Sequence, residues 1–234
     1  MSLYDRNYLG AQADGFESAH ASDESAIVGF VKQTYQLFAA SLLAATVGAY
    51  VGLGAAPVIA SWYWGLVILE FALLIGLHFL KDKAGINLIL LFGFTFITGL
   101  TLTPLLSRVF GLPGGASIVA NAFLLTTAIF GVMSIFALKT RHNLANMGQM
   151  LFIALIVVVV ASIINLFLGN PMLQVVIAGA GAILFSLFIA YDTQNIVRGL
   201  YDSPVMAAIS LYLDFLNLFI SLLQLLGIFG NSDD

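Results

Sequence analysis

Seven long apolar stretches, separated by short turn-forming segments, dominate the pattern of hydrophobic and polar positions. About 20 mainly apolar residues in a helix cross ~30 Å of hydrocarbon, so each stretch can form one membrane span. The segments between them are rich in Gly, Pro, Asn and charged residues, which favour turns. The pattern predicts an all-α, seven-helix transmembrane bundle. The predicted spans cover residues 29–53, 58–80, 86–106, 117–138, 147–168, 172–196 and 205–229.

The overall composition agrees with this pattern. The 234 residues are 61% hydrophobic and 9% charged, with a mean hydropathy of +1.03. The surface of a soluble domain requires roughly 25% charged residues. We expect a transmembrane domain over residues 26–230, between an acidic, solvated N-terminal tail (1–25) and a short acidic C-terminal tail (231–234). The N-terminal segment lacks the order of regions found in a cleavable signal peptide.

Several classes of chemistry are excluded by the residue types. The chain has no Cys, which rules out disulfides, Cys-ligated metals and thiol catalysis. Its three His residues lie far apart and lack metal-ligand spacing, and the net charge of −4 leaves no basic patch for nucleic acid. We therefore expect a protein that is not an enzyme, has no cofactor and is surrounded by the lipid bilayer.

The distribution of Lys and Arg predicts the orientation. With a cytoplasmic N-terminus, only Arg108 lies outside, which agrees with the excess of basic residues in cytoplasmic loops. Seven spans then place the C-terminus outside, whereas a re-entrant last segment would return it to the cytoplasm. The basic residues expected inside are Arg6, Lys32, Lys81, Lys83, Lys139, Arg141 and Arg198.

Three carboxylates fall inside predicted spans: Glu70, Asp192 and Asp214. A charged side chain at mid-bilayer costs at least ~3 kcal/mol, so such residues face the bundle interior and are functional candidates. At a rise of ~1.5 Å per residue, Asp192 and Asp214 lie ~10 and ~15 Å from the turn between spans six and seven, and Glu70 lies ~16 Å from Lys81. We expect all three at similar depth on the cytoplasmic side, although Glu70 alone equally fits a structural hydrogen bond.

Asp214, the acid in span seven, belongs to a stripe of polar residues along that helix. The stripe residues are spaced by 4, 3, 4 and 3 and therefore share one helical face. Its uncharged members also fit simple hydrogen bonding between helices. Two neighbouring carboxylates in a poorly solvated site tend to share a proton, and when ionised they offer Ca²⁺ the oxygen ligands it prefers. The stripe comprises Ser210, Asp214, Asn217, Ser221 and Gln224.

Small residues predict where helices approach closely. Gly48 and Gly52 have GxxxG spacing in span one, and residues 179–182 in span six read GAGA. Such residues let two helix backbones come into contact. We expect a packing role for both groups rather than contact with a ligand.

The last two spans resemble the signature of the Bax inhibitor-1 family, also called transmembrane Bax inhibitor motif proteins. The resemblance rests on FIAYDTQNI at 188–196 followed by ISLYLDFLNLFISLLQLLGIFG at 209–230. ILEFALLIGLHFL, GLTLTPLLS and KTRHNLANMGQMLFIALI extend it over nearly the whole chain from about residue 25. The compact loops and short tails are typical of a bacterial inner-membrane member, for which the death-suppressing role of eukaryotic members is not implied.

The resemblance implies a central last helix and a pH-sensitive Ca²⁺ leak that contributes to ion homeostasis. The family's proton-sensing aspartates fall on Asp192 and Asp214, which would also bind Ca²⁺ transiently. A basic residue at the end of helix two, often Arg, acts in some members as a latch. Lys81 holds that position but lacks the bidentate fork of Arg. Glu70, Asn217 and Asn195 are further candidates for the latch or the pore.

Four other classes of protein share features with this chain. An intramembrane aspartyl protease would need GxGD, where the chain has LYLD at 211–214. A retinal protein would need a lysine in the last helix, and none follows Lys139. A proton-coupled transporter remains open but lacks the usual internal repeat. A membrane interaction protein that modulates a membrane protease or a stress response also stays open.

Overall fold

A computed structural model describes the backbone of residues 3–230 and the side chains of residues 25–228. In residues 3–230 the long elements are all α-helices, and no strand occurs there. A short 3-10 helix, Leu144–Met147, precedes α6. The side chains of residues 1–24 and the tail 231–234 lie outside the described residues. The helices are α1 (Leu3–Gly54), α2 (Ala56–Leu80), α3 (Ile86–Thr101), α4 (Thr103–Phe110), α5 (Gly115–Lys139), α6 (Gly148–Leu168), α7 (Pro171–Val197) and α8 (Pro204–Gly230).

Seven helical segments of the described residues are long and apolar enough to cross a membrane. The predicted all-α, seven-span membrane bundle is therefore confirmed. Turn-forming and capping residues mark several helix boundaries where the sequence indicated. For example, the side chain of Ser203 accepts a hydrogen bond from the Val205 N–H at 3.3 Å, and Pro204 opens α8.

The third span differs from the single helix expected over residues 86–106. It is divided at Leu102 into α3 and α4, which together form one span from Ile86 to Phe110. Pro104 explains the break, because its ring nitrogen has no N–H to donate to the Leu100 carbonyl one turn earlier. The span is therefore longer than predicted, and its break lies next to the residues that line a cavity described below.

The last helix occupies the centre of the bundle, as predicted. α8 packs against α7, α5, α1 and α3. In its most apolar stretch 56% of the residues are buried, against 6% for α2. Its buried residues include Leu211, Tyr212 and Leu218, none of which has exposed surface. By contrast, α2 packs mainly against α3 and leaves most of its apolar side chains exposed, as expected of a helix that faces lipid.

Glycines bring α1 and α3 into backbone contact. A Cβ atom added to Gly48 would lie 2.1 Å from the Phe96 carbonyl oxygen, and one added to Gly99 would lie 2.1 Å from that of Ala45. The close approach predicted for Gly48 and Gly52 is confirmed.

The prediction for the second group of small residues is only partly right. A Cβ atom at Gly181 would lie 2.7 Å from the Ser221 hydroxyl of α8, so α7 and α8 approach closely there. No atom of another helix lies within 4 Å of such a Cβ at Gly179, so the expected packing role is wrong for this position. Gly179 lies two residues before Gly181 and therefore points to a different side of the helix.

Candidate functional site

Asp192 of α7 and Asp214 of α8 form the candidate site. Each is 5% exposed, and their side chains lie within hydrogen-bonding reach of each other. Among the described residues, no N–H or hydroxyl group donates to Oδ2 of Asp214. Ionised carboxylates are acceptors only, so a hydrogen bond between these two groups requires a proton on one of them. The arrangement can therefore hold one proton between the two carboxyl groups.

Tyr201, in the connection between α7 and α8, is a third member of the site. Its side chain lies within hydrogen-bonding reach of Asp192 and Ser210. Burial, together with the neighbouring Asp192, raises the pKa of Tyr201, so its hydroxyl keeps its proton and can donate to the Asp192 carboxyl. The sequence did not single out Tyr201, because a tyrosine in a turn carries no periodic signal.

The end of α7 holds four consecutive buried polar residues, 192–195. Successive residues of a helix point about 100° apart, so these side chains face different neighbours. Thr193 lies 3.3 Å from the Ser134 hydroxyl of α5. Gln194 accepts a backbone hydrogen bond at 2.7 Å and donates one at 3.0 Å in the connection between α5 and α6. Oδ1 of Asn195 is buried and has no donor among the described residues.

Lys81 forms an ion pair at the surface rather than a contact with the aspartates. Its Nζ donates to Oδ2 of Asp202 at 2.8 Å, with 25% of the Lys81 side chain and 81% of the Asp202 side chain exposed. The bond to Asp202 raises the pKa of Lys81, and the bond from Lys81 lowers the pKa of Asp202. The pair joins the end of α2 to the connection that carries Tyr201.

Glu70 and Asn217 line a cavity of about 430 Å³ between α2, α3, α4 and α8. Glu70 is half-buried and accepts a hydrogen bond from the hydroxyl of Thr101. Asn217 donates from its Nδ2 to the Leu213 carbonyl at 2.7 Å. Gln224 also lines this space, and the remaining wall is mostly apolar. The structure therefore groups Glu70 with Asn217 and separates it from the aspartate pair.

The polar stripe of α8 is thus shared between two neighbourhoods. Asp214 and Ser221 face α7, where they meet Asp192 and Gly181. Asn217 and Gln224 line the cavity instead. A stripe with this spacing covers about 80° of the helix surface at about 100° per residue, so its two margins can face different helices.

The described side chains form no ready-made metal cage. Across residues 25–228, no group of three or more His, Asp and Glu side chains lies close enough to hold a metal ion. Ca²⁺ takes six to eight oxygen ligands in its protein sites, roughly. A divalent cation at the pair would therefore meet two carboxyl groups and would have to keep water among its ligands.

These features define a class: a seven-span integral membrane protein whose central helix carries half of a buried carboxyl pair. Comparison with known families identifies the family. Residues 28–231 match the family described as inhibitor of apoptosis-promoting Bax1. The chain therefore belongs to the Bax inhibitor family, as its last two spans indicated.

Similar proteins come from bacteria and a virus. An uncharacterized protein of Helicobacter pylori is 56% identical over 237 residues, which cover all of both chains. The inner membrane protein YbhL of Escherichia coli is 38% identical over 71% of this chain and 74% of its own. A Golgi anti-apoptotic protein of vaccinia virus is 34% identical, over 75% of this chain and 70% of its own. The similar proteins thus come from sources as different as bacteria and vaccinia virus, with no shared description of activity.

Proposed function

We propose that this protein is a pH-sensitive calcium leak channel of the bacterial inner membrane, in which the Asp192–Asp214 pair senses protons. The observation that carries the proposal is the contact between two buried carboxyl groups on adjacent helices, one of which has an oxygen without an N–H or hydroxyl donor. Such a contact depends on one proton. A change in pH therefore acts directly on the interface between α7 and α8.

Loss of the shared proton leaves two negative charges face to face. Repulsion between like charges is strong where water is scarce, so the ends of α7 and α8 separate or take up a cation. Ca²⁺ suits this site because it prefers carboxylate oxygens. Ca²⁺ and protons are then the transported and sensed ions, and the protein acts without enzymatic chemistry.

The cavity provides a path for ions on the other side of the pair. Leu213 and Asn217, which flank Asp214 along α8, both line it. The cavity follows α8 from Leu213 to Gln224, which corresponds to ~16 Å at ~1.5 Å per residue. Glu70 supplies a carboxylate along this length. An ion that leaves the aspartate pair past Leu213 would enter a space with polar groups on its wall.

The proposed orientation places the N-terminus in the cytoplasm and the C-terminus outside. It rests on the excess of basic residues in the loops that would then be cytoplasmic, with Arg108 alone on the other side. The inner-membrane name of the Escherichia coli relative supports the same membrane for this chain. With this orientation the ion pair between Lys81 and Asp202 lies at the cytoplasmic end, where it ties α2 to the turn beside the sensor.

Calcium flux in reconstituted vesicles tests the proposal. The protein is placed in vesicles that contain a Ca²⁺-sensitive dye, and flux is recorded from about pH 5 to about pH 8. Asp192→Asn and Asp214→Asn each remove the shared proton without changing the shape of the side chain. We expect flux through either variant to lose its dependence on pH.

Asp202→Asn is the matched control. Since Lys81 holds the pKa of Asp202 below its usual range, Asp202 stays ionised over this pH range and its replacement should leave the pH profile in place. If Asp192→Asn and Asp214→Asn both conduct with the wild-type pH profile, the sensor assignment is wrong. Absence of Ca²⁺ flux in wild-type vesicles at every pH would overturn the channel itself.

A further inference from the structure

Three side-chain amides form a chain from the turn between α6 and α7 to the cavity. Nδ2 of Asn165 donates to Oε1 of Gln174 at 2.9 Å, and Nε2 of Gln174 donates to Oε1 of Gln224 at 2.8 Å. At the far end, the backbone N–H of Asn170 donates to Oδ1 of Asn165 at 3.0 Å. The chain therefore runs from a backbone group in the turn to a residue that lines the cavity.

The backbone group gives the chain a direction. A backbone N–H can only donate, so it holds Oδ1 of Asn165 towards itself and leaves the NH₂ group of Asn165 for Gln174. The same reasoning turns the NH₂ group of Gln174 towards Gln224. Gln224 accepts with its oxygen, and its own NH₂ group has no partner among the described residues. A donor, rather than an acceptor, is therefore left for the cavity.

Asn217 shows the opposite orientation seven residues earlier, ~10 Å away along α8. Its NH₂ group is occupied by the Leu213 carbonyl, which can only accept, so Oδ1 of Asn217 is left for the cavity. Glu70 adds a carboxylate to the same wall. The cavity thus has acceptor oxygens at Glu70 and Asn217 and a donor at Gln224.

We propose that Gln224 is a specificity-determining residue of this cavity, because the amide chain presents its NH₂ group where a cation would otherwise find an oxygen ligand. The partial positive charge of the NH₂ group disfavours a dehydrated cation at that end. Cation binding is thereby limited to the part of the cavity near Glu70 and Asn217. This inference rests on the proposed function in taking the cavity as part of the ion path.

Reversing the direction of the hydrogen bonds between these amides tests the proposal without substituting Gln224 itself. An ionised carboxylate in Gln174→Glu can only accept, so it takes donors from both Asn165 and Gln224. The amide of Gln224 then turns and presents Oε1 to the cavity. We expect the purified variant in detergent micelles, at about pH 8, to bind Tb³⁺ about tenfold more tightly than the wild type, since a hydrogen bond or ligand to a charged group contributes about that much. Tb³⁺ luminescence sensitised by tyrosine is the readout, because Tyr63 lines the cavity.

The added charge requires its own control. The double variant Gln174→Glu with Gln224→Leu keeps the new carboxylate but has no amide to turn, so we expect its Tb³⁺ affinity to return to the wild-type value. Glu70→Gln in the reversed variant should also remove the gain, which locates the bound ion in the cavity. A gain that persists in the double variant, or no gain in Gln174→Glu, would overturn the proposal.

A second variant covers the case in which Gln174→Glu does not fold. In Asn165→Asp one oxygen still accepts from Asn170 and the other accepts from the NH₂ group of Gln174, whose oxygen then accepts from Gln224. This reverses the chain from its far end, and the same tenfold gain is expected. Ca²⁺ flux in vesicles separates the two proposals. If wild-type vesicles do not conduct while the Tb³⁺ pattern appears, the channel proposal fails and the role of Gln224 stands.

Discussion

The two sides of α8 place carboxyl groups in different surroundings. Towards α7, Asp214 and Asp192 are each 5% exposed and meet one another. Towards α2, Glu70 is half-buried, receives a hydrogen bond from Thr101 and borders a cavity of about 430 Å³. An acid without water nearby must share its proton, whereas an acid beside such a space can be hydrated. One helix therefore borders a contact between two carboxyl groups on one side and a cavity with a few polar groups in its wall on the other.

The difference arises from packing rather than from residue type. On the α7 side, Gly181 lets the two helices approach closely, with Ser221 directly opposite. On the cavity side, Gly99 lets α3 approach α1 closely, while the Thr98 hydroxyl of α3 is hydrogen-bonded to Tyr212 of α8. The cavity lies beside this contact, with Thr98 in its wall. Substitutions that move α3 should change the packing around α8 most.

The largest effect is expected from Gly99→Leu. The new side chain would collide with the backbone of α1, where even a Cβ atom lies 2.1 Å from the Ala45 carbonyl oxygen. We expect the free energy of unfolding in detergent micelles to fall by about 3 kcal/mol, as for other overpacked sites. Gly131→Leu is the matched control, because a Cβ atom at Gly131 has nothing within 4 Å. Equal stability of the two variants would show that α1 and α3 are not in close contact.

A smaller change in the free energy of unfolding should distinguish a buried polar side chain from one beside the cavity. Tyr212 has no exposed surface, and its hydroxyl is hydrogen-bonded to the Thr98 hydroxyl and to the Thr95 carbonyl. Tyr212→Phe should lower the free energy of unfolding by about 1 kcal/mol, because the buried Thr98 hydroxyl and Thr95 carbonyl each lose a hydrogen-bond partner. Asn217→Leu, beside the cavity, should change it by less than about 0.5 kcal/mol. Chemical denaturation of both variants measures the difference, and the reverse order would contradict a dry centre.

The smallest effect concerns the exposed ion pair. Since the pKa of Asp202 is lowered in the folded protein, the pair stabilises the fold above the usual aspartate pKa of about 3.9, and this contribution is lost as the pH falls through the lower folded value. Since the pKa of Lys81 is raised, the contribution is fully present below the usual lysine pKa of about 10.4 and is lost at higher pH.

Thermal unfolding of Lys81→Gln at two salt concentrations measures this contribution. We expect a small loss of stability between these pH limits that disappears near 1 M salt, where charges are screened within about 3 Å. Lys83→Gln, two residues away on the same connection, serves as the control. A loss that is unchanged by salt would mean that Lys81 acts through packing rather than charge.

Hydropathy and helix geometry predicted much of this molecule, because both depend only on residues close in the chain. The apolar stretches gave the seven spans, and the rise per residue placed Asp192 and Asp214 at depths that allow contact. Both acids lie on consecutive helices joined by a short turn, so few alternatives existed. The break at Leu102 also has a local signal in Pro104, although the apolar pattern continues through it.

The features that were missed depend on contacts between distant parts of the chain. Glu70 meets Thr101 through the packing of α2 against α3, and no pattern within α2 shows this. Asp202 binds Lys81 across 121 residues of sequence. Tyr201 reaches Asp192 from a turn, where side-chain direction follows no period. Sequence periodicity gives the faces of helices, whereas their partners follow from the packing of the whole bundle.

The central position of α8 has a consequence for how the protein is made. The helices that surround it, α1, α3, α5 and α7, all precede it in the chain, so the centre of the bundle is synthesised after its wall. At about 5–20 residues per second, the ribosome needs a few seconds between the end of α7 and the end of α8. During that interval Asp192 lacks its carboxyl partner, Asp214. Contact between Asp192 and Asp214 therefore forms only once α8 is in place, and a nascent chain halted before α8 would present Asp192 to the insertion machinery without its carboxyl partner.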